Sequence, residues 1–360
     1  SLSTYSFRLI PLQKYITFIT SPNSMETKTK FIGIDFSKAT FDATIYEGEH
    51  CKFTNDDQGF KEFLAWVETH IDGLSLQNCL FCGENTGNYS VQLSNFLYVH
   101  HCTMWLESAL RIKRTMGLVR GKDDKIDSAY IARYAARNAE DAVSYEPCCK
   151  NIGELRRLFA RRQLLVAQRT ALMNAGKEAN VLGEKSKYDR ALEKQNTKLV
   201  TMLAKEVLRI EKMMLEVIQA DERLSRQYQH ITSIKGMGPI NAIALISVTE
   251  GFTKYANDAK KLACHAGVAP FKKESGTSVN GGTHVSHLSN HILKPLLTQA
   301  ALSAILYNRQ IIAYYERLIS RGKKSQVALN NVKNKLLHIV IGLIRKDEDY
   351  DIQYQPVPKI

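Results

Sequence analysis

The first part of the chain changes repeatedly between the two-residue hydrophobic period of strands and the helical period. Asp35 lies inside the apolar run 31–36, and Phe60, Phe63 and Val67 recur at helical spacing. We predict strands at 31–36, 40–46, 51–54 and 79–82, an extended segment at 101–105, and helices around 60–67, 89–97 and 107–116. An opening hairpin followed by alternating strands and helices is typical of an α/β layer fold.

The later part of the chain is patterned as helix. Residues 152–219 contain no proline, and they carry two apolar stripes, which include Leu155, Leu164, Met202 and Met214. Such stripes predict a long antiparallel or coiled-coil region. A further apolar helix at 242–248 follows. The predicted fold class is therefore multidomain, α/β plus all-α, with a long helical coiled-coil spacer between two domains.

Composition narrows the partner class. The 360 residues include 49 Lys and Arg against 36 Asp and Glu, a net charge of +13, which indicates a polyanionic partner such as nucleic acid. No run approaches the roughly 18 to 20 apolar residues of a membrane helix, so we expect no membrane protein. Seven cysteines lack a regular spacing. Cys79 and Cys82 lie in an apolar strand, and we interpret them as core residues rather than metal ligands.

Carboxylates occur where such a fold can use them. Asp35 interrupts an apolar strand, where an unpaired charge is costly, and Glu84 follows another strand. Asp124 and Asp127 lie three apart at a helix start, on one helical face. Clustered carboxylates repel unless a cation lies between them, and hard oxygen ligands favour Mg²⁺ or Mn²⁺. The alternative is structural: the helical pair caps its helix, and Asp35 starts a turn.

Basic residues surround the helical carboxylates. They are candidates for a rim that binds a nucleic acid backbone, and the alternative is a solvated helical face. The candidates are Arg114, Arg120, Lys122, Lys125 and Arg133.

The second half carries its own candidates. Gly236 and Gly238 open an apolar helix, where backbone N–H groups could bind DNA phosphates or the turn could simply pack. Lys272 and Lys273 enter a polar segment, 271–283, in which Ser275 precedes a glycine. An ordinary polar hairpin loop is the alternative there.

These motifs resemble a known family. Gly33-Ile-Asp35, Glu84-Asn-Thr-Gly87, Lys122-Asp-Asp124-Lys-Ile-Asp127, Gly236-Met-Gly238, Gly267-Val-Ala-Pro270 and Ser275-Gly276 are similar to those of the insertion-sequence one-hundred-and-ten transposases, which include the Piv-type invertases. The resemblance implies a RuvC-like, ribonuclease-H-like domain whose Asp35, Glu84, Asp124 and Asp127 bind Mg²⁺ (or Mn²⁺). It further implies a transposase domain with Ser275 as nucleophile and Ser278 as fallback. Asp124 is preferred to its neighbour Asp123 because it keeps the three-residue spacing.

The domain boundaries follow from these assignments. We predict a peripheral extension at 1–24, the DEDD catalytic domain at 25–145, the helical spacer at 146–230, the transposase domain at 231–345 and a peripheral tail at 346–360, with Met25 as natural start.

The expected function is strand cleavage and exchange of a mobile element through a phosphoserine–DNA intermediate. The resemblance implies an element-encoded guide RNA, a homo-oligomer (dimer or tetramer) and a bacterial cytoplasmic location at the nucleoid. Two alternatives remain: a RuvC-like junction nuclease without covalent intermediate, and a non-catalytic nucleic-acid-binding scaffold.

Overall fold

The computed structural model describes residues 29–115, 124–179, 186–255, 258–275, 279–285, 289–351 and 353, except the side chains at 124, 177–179, 272–275 and 279–284. The predicted extension and start, Arg120, Lys122, Asp123 and Ser278 lie outside these residues. The chain forms two compact units, Ser1–Pro147 and Cys148–Ile360. The finer five-segment division stays a prediction.

The first unit is built on one mixed sheet. Its strand order is β3-β2-β1-β4-β5, in which β2 runs antiparallel to β1 and β3, whereas β4 is parallel to β1 and β5. Its elements are β1 (Lys30–Phe36), β2 (Thr40–Ile45), β3 (His50–Thr54), α1 (Asp57–His70), β4 (Cys79–Glu84), α2 (Asn88–Val99), β5 (Thr103–Glu107), α3 (Ala109–Thr115) and α4 (Asp124–Arg137).

Helices cover both faces of this sheet. One face buries Ile32, Ile34 and Phe41 against α1 and α2, with the Phe41 ring 5.2 Å from that of Phe63. The opposite face buries a smaller cluster in which Trp105 packs on Tyr134 of α4. Successive strand residues point to opposite faces, so both clusters come from the same strands. The predicted α/β layer is confirmed.

The two core cysteines are confirmed as well. Cys79 and Cys82 on β4 are both buried, and no disulfide links them. Burial raises the pKa of the Cys79 thiol to about 11, and it raises the pKa of Cys82 too. Protonated thiols in an apolar setting are poor metal ligands.

Helix α4 lies directly on β1 at Gly33. A Cβ atom at this position would stand 2.2 Å from the backbone nitrogen of Ala132 and from the carbonyl oxygen of Ser128. Only a residue without a side chain permits this approach. The Ser128 hydroxyl also hydrogen-bonds with the Thr44 hydroxyl of β2 at 2.7 Å.

The second unit is mainly helical, as predicted. Its core runs from Ile152 to Ile341 and includes both long helices. Its elements are α5 (Lys150–Ala179), α6 (Lys187–Gln219), α7 (Glu222–Thr232), α8 (Pro239–Val248), α9 (Ala259–His265), β6 (Pro270–Ser275), β7 (Val279–Val285), α10 (Leu293–Tyr307), α11 (Arg309–Ser320) and α12 (Ser325–Lys346). No helix in the described ranges is long and apolar enough to cross a bilayer.

Helices α5 and α6 form an antiparallel pair. The Arg162 guanidinium meets the Glu211 carboxylate at 2.7 Å, and Asn196 donates to the Leu172 carbonyl at 2.9 Å near the other end. Two residues of the predicted apolar stripes are not buried as expected, because Leu164 is 46% and Met202 53% exposed. These side chains lie beside, rather than in, the seam between the two helices.

One local boundary was predicted wrongly. Glu107 was placed at a helix start, but it ends β5, and α3 begins at Ala109. An acidic residue before a helical run is a normal start signal, which explains the error. In the polar segment 271–283, the described residues 271–275 and 279–283 belong to the antiparallel pair β6–β7.

Candidate active site

Four carboxylates occupy one row across the sheet of the first unit. Asp35 on β1 is the cross-strand partner of Asp42 on β2, and Glu84 on β4 is the partner of Glu107 on β5. The parallel pairing of β1 and β4 ends at Ile34 opposite Gly83, so the next residues, Asp35 and Glu84, follow at the same level. Neighbouring strands lie about 4.8 Å apart. The register therefore places two predicted metal ligands side by side, with one further carboxylate beyond each.

The row lies on the face of the sheet that α4 covers. Gly33 and Asp35 alternate with buried positions of β1 and thus share a face, and Gly33 is where α4 touches the strand. Asp124 and Asp127 stand in the first turn of α4. Asp35, Glu84 and Asp127 are partly exposed. The four predicted ligands therefore belong to three elements, β1, β4 and α4, which pack together at this face of the sheet.

The outer carboxylate Asp42 is buried and compensated. Its side chain is 8% exposed, and its two oxygens face the His50 ring nitrogen at 3.3 Å and the Lys52 ammonium at 3.1 Å. A carboxylate removed from water is costly unless cations or donors satisfy it. Lys52 and His50 belong to β3, which pairs with β2, so the pairing of these two strands brings the groups that compensate the charge of Asp42.

The outer carboxylate Glu107 is compensated by different groups. It accepts hydrogen bonds from the backbone N–H of Ser108 at 2.6 Å, from Arg111 at 3.1 Å and from the Tyr134 hydroxyl at 3.2 Å. The hydrogen bond to Glu107 raises the pKa of Arg111. Burial, followed by the charge of Glu107, raises the pKa of Tyr134 to about 12. Glu107 is therefore held by α3 and α4 at its end of the row.

The carboxylate oxygens of the row are ligands that a hard cation such as Mg²⁺ prefers. The described side chains are not arranged as a complete set of ligands for such an ion. Within the described part of the chain, no group of three or more His, Cys, Asp or Glu side chains could hold a metal ion. Asp124 begins α4, and its side chain lies outside the described set. Asp35 and Glu84 are the predicted ligands that the register brings together.

The predicted basic rim is partly visible. Arg114 at the end of α3 and Arg133 on α4 are exposed, and the Arg133 guanidinium lies 5.6 Å from the Tyr130 ring centre. Lys125 follows Asp124 in α4 and is exposed. A guanidinium over an aromatic ring remains available to phosphate oxygens.

The two glycines of the second unit have different surroundings. Gly236 has a φ of +107°, and a Cβ there would stand 2.6 Å from the backbone nitrogen of Ala304 on α10. This glycine is therefore needed for packing. Gly238 precedes α8, with Pro239 in the first turn, and nothing lies within 4 Å of its ideal Cβ.

Ser275 is the last residue of β6 and pairs with Val279 of β7. Lys272 and Lys273 belong to the same strand, whose pairing is irregular between Lys272 and Glu274. The serine lies in the second unit, whereas the four carboxylates lie in the first.

Sequence reasoning missed the two outer carboxylates. Asp42 carried the same signal as Asp35, since it is a charged residue inside an apolar strand. That signal alone could have marked Asp42 as a candidate. Glu107 gave no signal, because it looked like the start of a helix.

Comparison with known proteins identifies the family. A family model described as "Transposase", for the DEDD transposases of IS110, matches residues 32–179. A second model, described as "Transposase IS116/IS110/IS902 family", matches residues 228–316. The first covers the carboxylate row and the second covers Ser275.

Individual relatives agree with the models. The pilin gene-inverting protein of Moraxella bovis is 26% identical over 333 residues, which cover 89% of this chain and 97% of that protein. An IS110 insertion element protein of Streptomyces coelicolor, described as uncharacterized, is 30% identical over 121 residues, 34% of this chain and 29% of that protein.

A mixed α/β domain with a carboxylate row, followed by a helical unit with its own family motif, defines the class: the protein is an enzyme, a DEDD-type transposase. Within that class, the chain belongs to the IS110 family of transposases.

Proposed function

We propose that the chain cleaves and rejoins DNA strands of a mobile element, as a transposase or a DNA invertase. The two family models occur in the family's order, and the relative from Moraxella bovis that is similar over almost its full length is a gene-inverting protein. The net charge of +13 suits a DNA partner. The observation that carries the proposal is the register that sets Asp35 beside Glu84.

Asp35, Glu84, Asp124 and Asp127 are proposed to hold Mg²⁺ (or Mn²⁺) at the scissile phosphate. Their oxygens are the ligands that these ions prefer, and the sheet order agrees with a RuvC-like, ribonuclease-H-like domain. A bound divalent cation would neutralise charge that develops on the phosphate. Asp42 and Glu107 lie beyond the inner pair, and their own cations keep them from competing for the metal.

Ser275 is proposed as the nucleophile. Its Oγ would bond to phosphorus and release its proton, the bond from phosphorus to one DNA oxygen would break, and that oxygen would take up a proton. The phosphoserine ester conserves the energy of the broken bond, so a DNA hydroxyl can reverse the step without ATP. Strand exchange needs this reversibility, whereas hydrolysis does not.

The remaining partners follow from the family. We propose an element-encoded guide RNA, a homo-oligomer of two or four chains, and a bacterial cytoplasmic location at the nucleoid. Residues 25–145, 146–230 and 231–345 would serve as catalytic domain, spacer and transposase domain. Arg114, Arg133 and Lys125 are exposed in the first unit and suit a backbone-binding rim, to which Arg120 and Lys122 are proposed to belong as well. In the second unit, Lys272 and Lys273 are proposed to attract a DNA phosphate.

The test uses a plasmid that carries the gene with its natural flanking DNA. With Mg²⁺ we expect a protein–DNA adduct that survives denaturation, and Ser275→Ala should lower its yield by at least about a thousandfold. The matched control is Ser278→Ala, three residues away, which should keep the adduct. Asp35→Asn should abolish both adduct and cleavage.

The alternatives give other results. Cleavage without an adduct, unchanged by Ser275→Ala, would indicate a junction nuclease and refute the serine mechanism. DNA binding with a steep salt dependence, no metal requirement and no effect of Asp35→Asn would indicate a scaffold.

A further inference from the structure

Lys333 differs from the other buried charged residues in the described part of the chain. It lies on α12 and is only 8% exposed. Asp42, Glu107 and His230 are equally buried, but each forms an ion pair. Lys333 forms no ion pair with any carboxylate among the described residues. Burying an ammonium without an anion is costly, so this position calls for an explanation.

The surroundings of Lys333 supply a second cation instead of an anion. Its Nζ donates to the Thr298 hydroxyl at 3.3 Å, and that hydroxyl donates to the Lys294 carbonyl at 2.8 Å. Burial, followed by the charge of Lys294, lowers the pKa of Lys333. Lys294 is partly exposed and also forms no ion pair within the described ranges. Thr298 thus takes one of the three hydrogens of Lys333 and leaves two for another acceptor.

The two lysines lie beside the segment that leads into the β6–β7 hairpin. Asn330, one turn before Lys333 on α12, donates its side-chain N–H to the Val268 carbonyl at 2.9 Å. Val268 stands two residues before β6, the strand that ends at Ser275. An anion bound by the lysines would therefore contact α10 and α12 next to the base of this hairpin.

We propose that Lys333 and Lys294, positioned by Thr298, form a binding site for a phosphate group of a nucleic acid backbone. Two lysines linked through Thr298, with no carboxylate partner among the described residues, match the charge of a phosphate, and the ligand would offset the cost of burying Lys333 beside a second cation. The same chemistry would accept a free phosphate ion. The proposal rests on the proposed function only for the choice of DNA as the macromolecular source of the phosphate.

The experiment compares the full-length protein with Lys333→Met and Lys294→Met. Thermal unfolding of the second unit is followed by far-UV circular dichroism in inorganic phosphate and in chloride at equal ionic strength. We expect phosphate to raise the unfolding temperature of the wild type, because a ligand that binds the folded state stabilises it. Both variants should lose this increase. In chloride, Lys333→Met should unfold no earlier than the wild type, because an apolar side chain of similar length replaces an uncompensated charge.

A second measurement identifies the source of the phosphate. The affinity for a duplex DNA oligonucleotide is measured against salt, and Lys333→Met should reduce the magnitude of the logarithmic slope by about one, the loss of one phosphate contact. The matched control is Lys335→Met, which removes the same charge from an exposed position on the same helix. It should leave the phosphate-dependent stabilisation intact.

The two measurements on Lys333→Met together distinguish a backbone phosphate, a free anion and no anion site. Loss of both effects in Lys333→Met supports a backbone phosphate, and loss of only the phosphate-dependent stabilisation supports a site for the free anion. If Lys333→Met behaves like the wild type in both measurements, the proposal is refuted, and Lys333 is a buried amine with a structural role. Strand cleavage by the wild type is assayed in parallel, so a failure of the proposed function is seen separately.

Discussion

Asp42 and Lys52 form a nearly neutral pair at one end of a row whose centre must attract a cation. Asp42 is the direct cross-strand partner of Asp35, and its charge is compensated by Lys52 at 3.1 Å. At an effective dielectric constant of about 20, unit charges about 8 Å apart interact by about 2 kcal/mol. A change in the charge of this pair should therefore change the affinity of the proposed metal site for its cation.

Asp42→Asn tests this coupling. The substitution removes one negative charge from the strand position opposite Asp35, so we expect the Mg²⁺ concentration needed for half-maximal DNA cleavage to rise by about tenfold. Cleavage is measured against Mg²⁺, and Mn²⁺ binding is measured directly by electron paramagnetic resonance.

The double variant Asp42→Asn with Lys52→Met restores neutrality, and its Mg²⁺ requirement should return to within about twofold of the wild type. Asp72→Asn is the control for a remote ion pair, since Asp72 pairs with Lys30 on the surface. If the single and double variants need the same Mg²⁺ concentration, the effect is not electrostatic.

The sequence could predict individual ligands better than their neighbours. Asp35 was recognisable because a charge within an apolar strand is costly unless it is compensated. Asp127 was recognisable because it lies one helical turn after Asp124, on the same face. Their proximity depends on strand order and register, which a single sequence does not encode locally. The partners of Glu107 were equally hidden, because Arg111 and Tyr134 come from two different helices.

At the level of elements, the contact between α4 and β1 sets the geometry of the site. α4 carries Asp124 and Asp127, and it approaches β1 at Gly33, where backbone atoms of α4 leave no room for a Cβ. The sequence predicted both elements, but the closeness of their contact is visible only in the structure. Any side chain at Gly33 must push α4 away from the sheet.

Gly33→Ala should therefore destabilise the first unit by about 1–3 kcal/mol or more, because rigid backbone rather than a flexible side chain blocks the new methyl group. Strand cleavage should fall further than stability alone explains, since two proposed ligands move with α4. Both tryptophans, Trp66 and Trp105, belong to the first unit. Tryptophan fluorescence during denaturation therefore reports this unit selectively.

Gly342→Ala provides the matched control. Gly342 lies inside α12, and nothing lies within 4 Å of its ideal Cβ, so alanine should stabilise that helix by about 0.5–1 kcal/mol. The tryptophan signal should not change. Equal stability of Gly33→Ala and the wild type would show that α4 can move without cost.

At the level of the whole molecule, the segment that follows α12 is bound to α7 of the second unit by hydrogen bonds. The tail was predicted to be peripheral, yet Asp347 and Asp349 reach α7. His230 on α7 is 7% exposed, and its ring nitrogens lie 2.7 Å from Asp349 and 3.0 Å from Asp347. The Tyr350 backbone N–H donates to the Ser233 hydroxyl at 2.8 Å. Partners this far apart in sequence leave no local pattern, so the prediction could not include them.

This contact with α7 predicts a dependence on acid pH. The hydrogen bonds with His230 lower the pKa of Asp347 and of Asp349 below the ordinary value of 3.8. A carboxyl whose pKa is lower in the folded state stabilises the fold above its unfolded pKa, and that stabilisation is lost as the pH falls through the folded pKa. The unfolding temperature of the second unit should therefore drop between about pH 5 and pH 3. The double variant Asp347→Asn with Asp349→Asn should be less stable at neutral pH and show a smaller drop.

Far-UV circular dichroism measures this drop in the second unit, while tryptophan fluorescence records the first unit in the same sample and should not respond to the tail substitutions. Asp351→Asn is the matched control, because Asp351 belongs to the same segment but hydrogen-bonds the backbone of Gln353 instead of His230. It should keep the acid dependence of the wild type. If the double variant loses stability in acid as steeply as the wild type does, the tail carboxylates do not hold α7, and the acid sensitivity of this unit arises from carboxyl groups elsewhere in its fold.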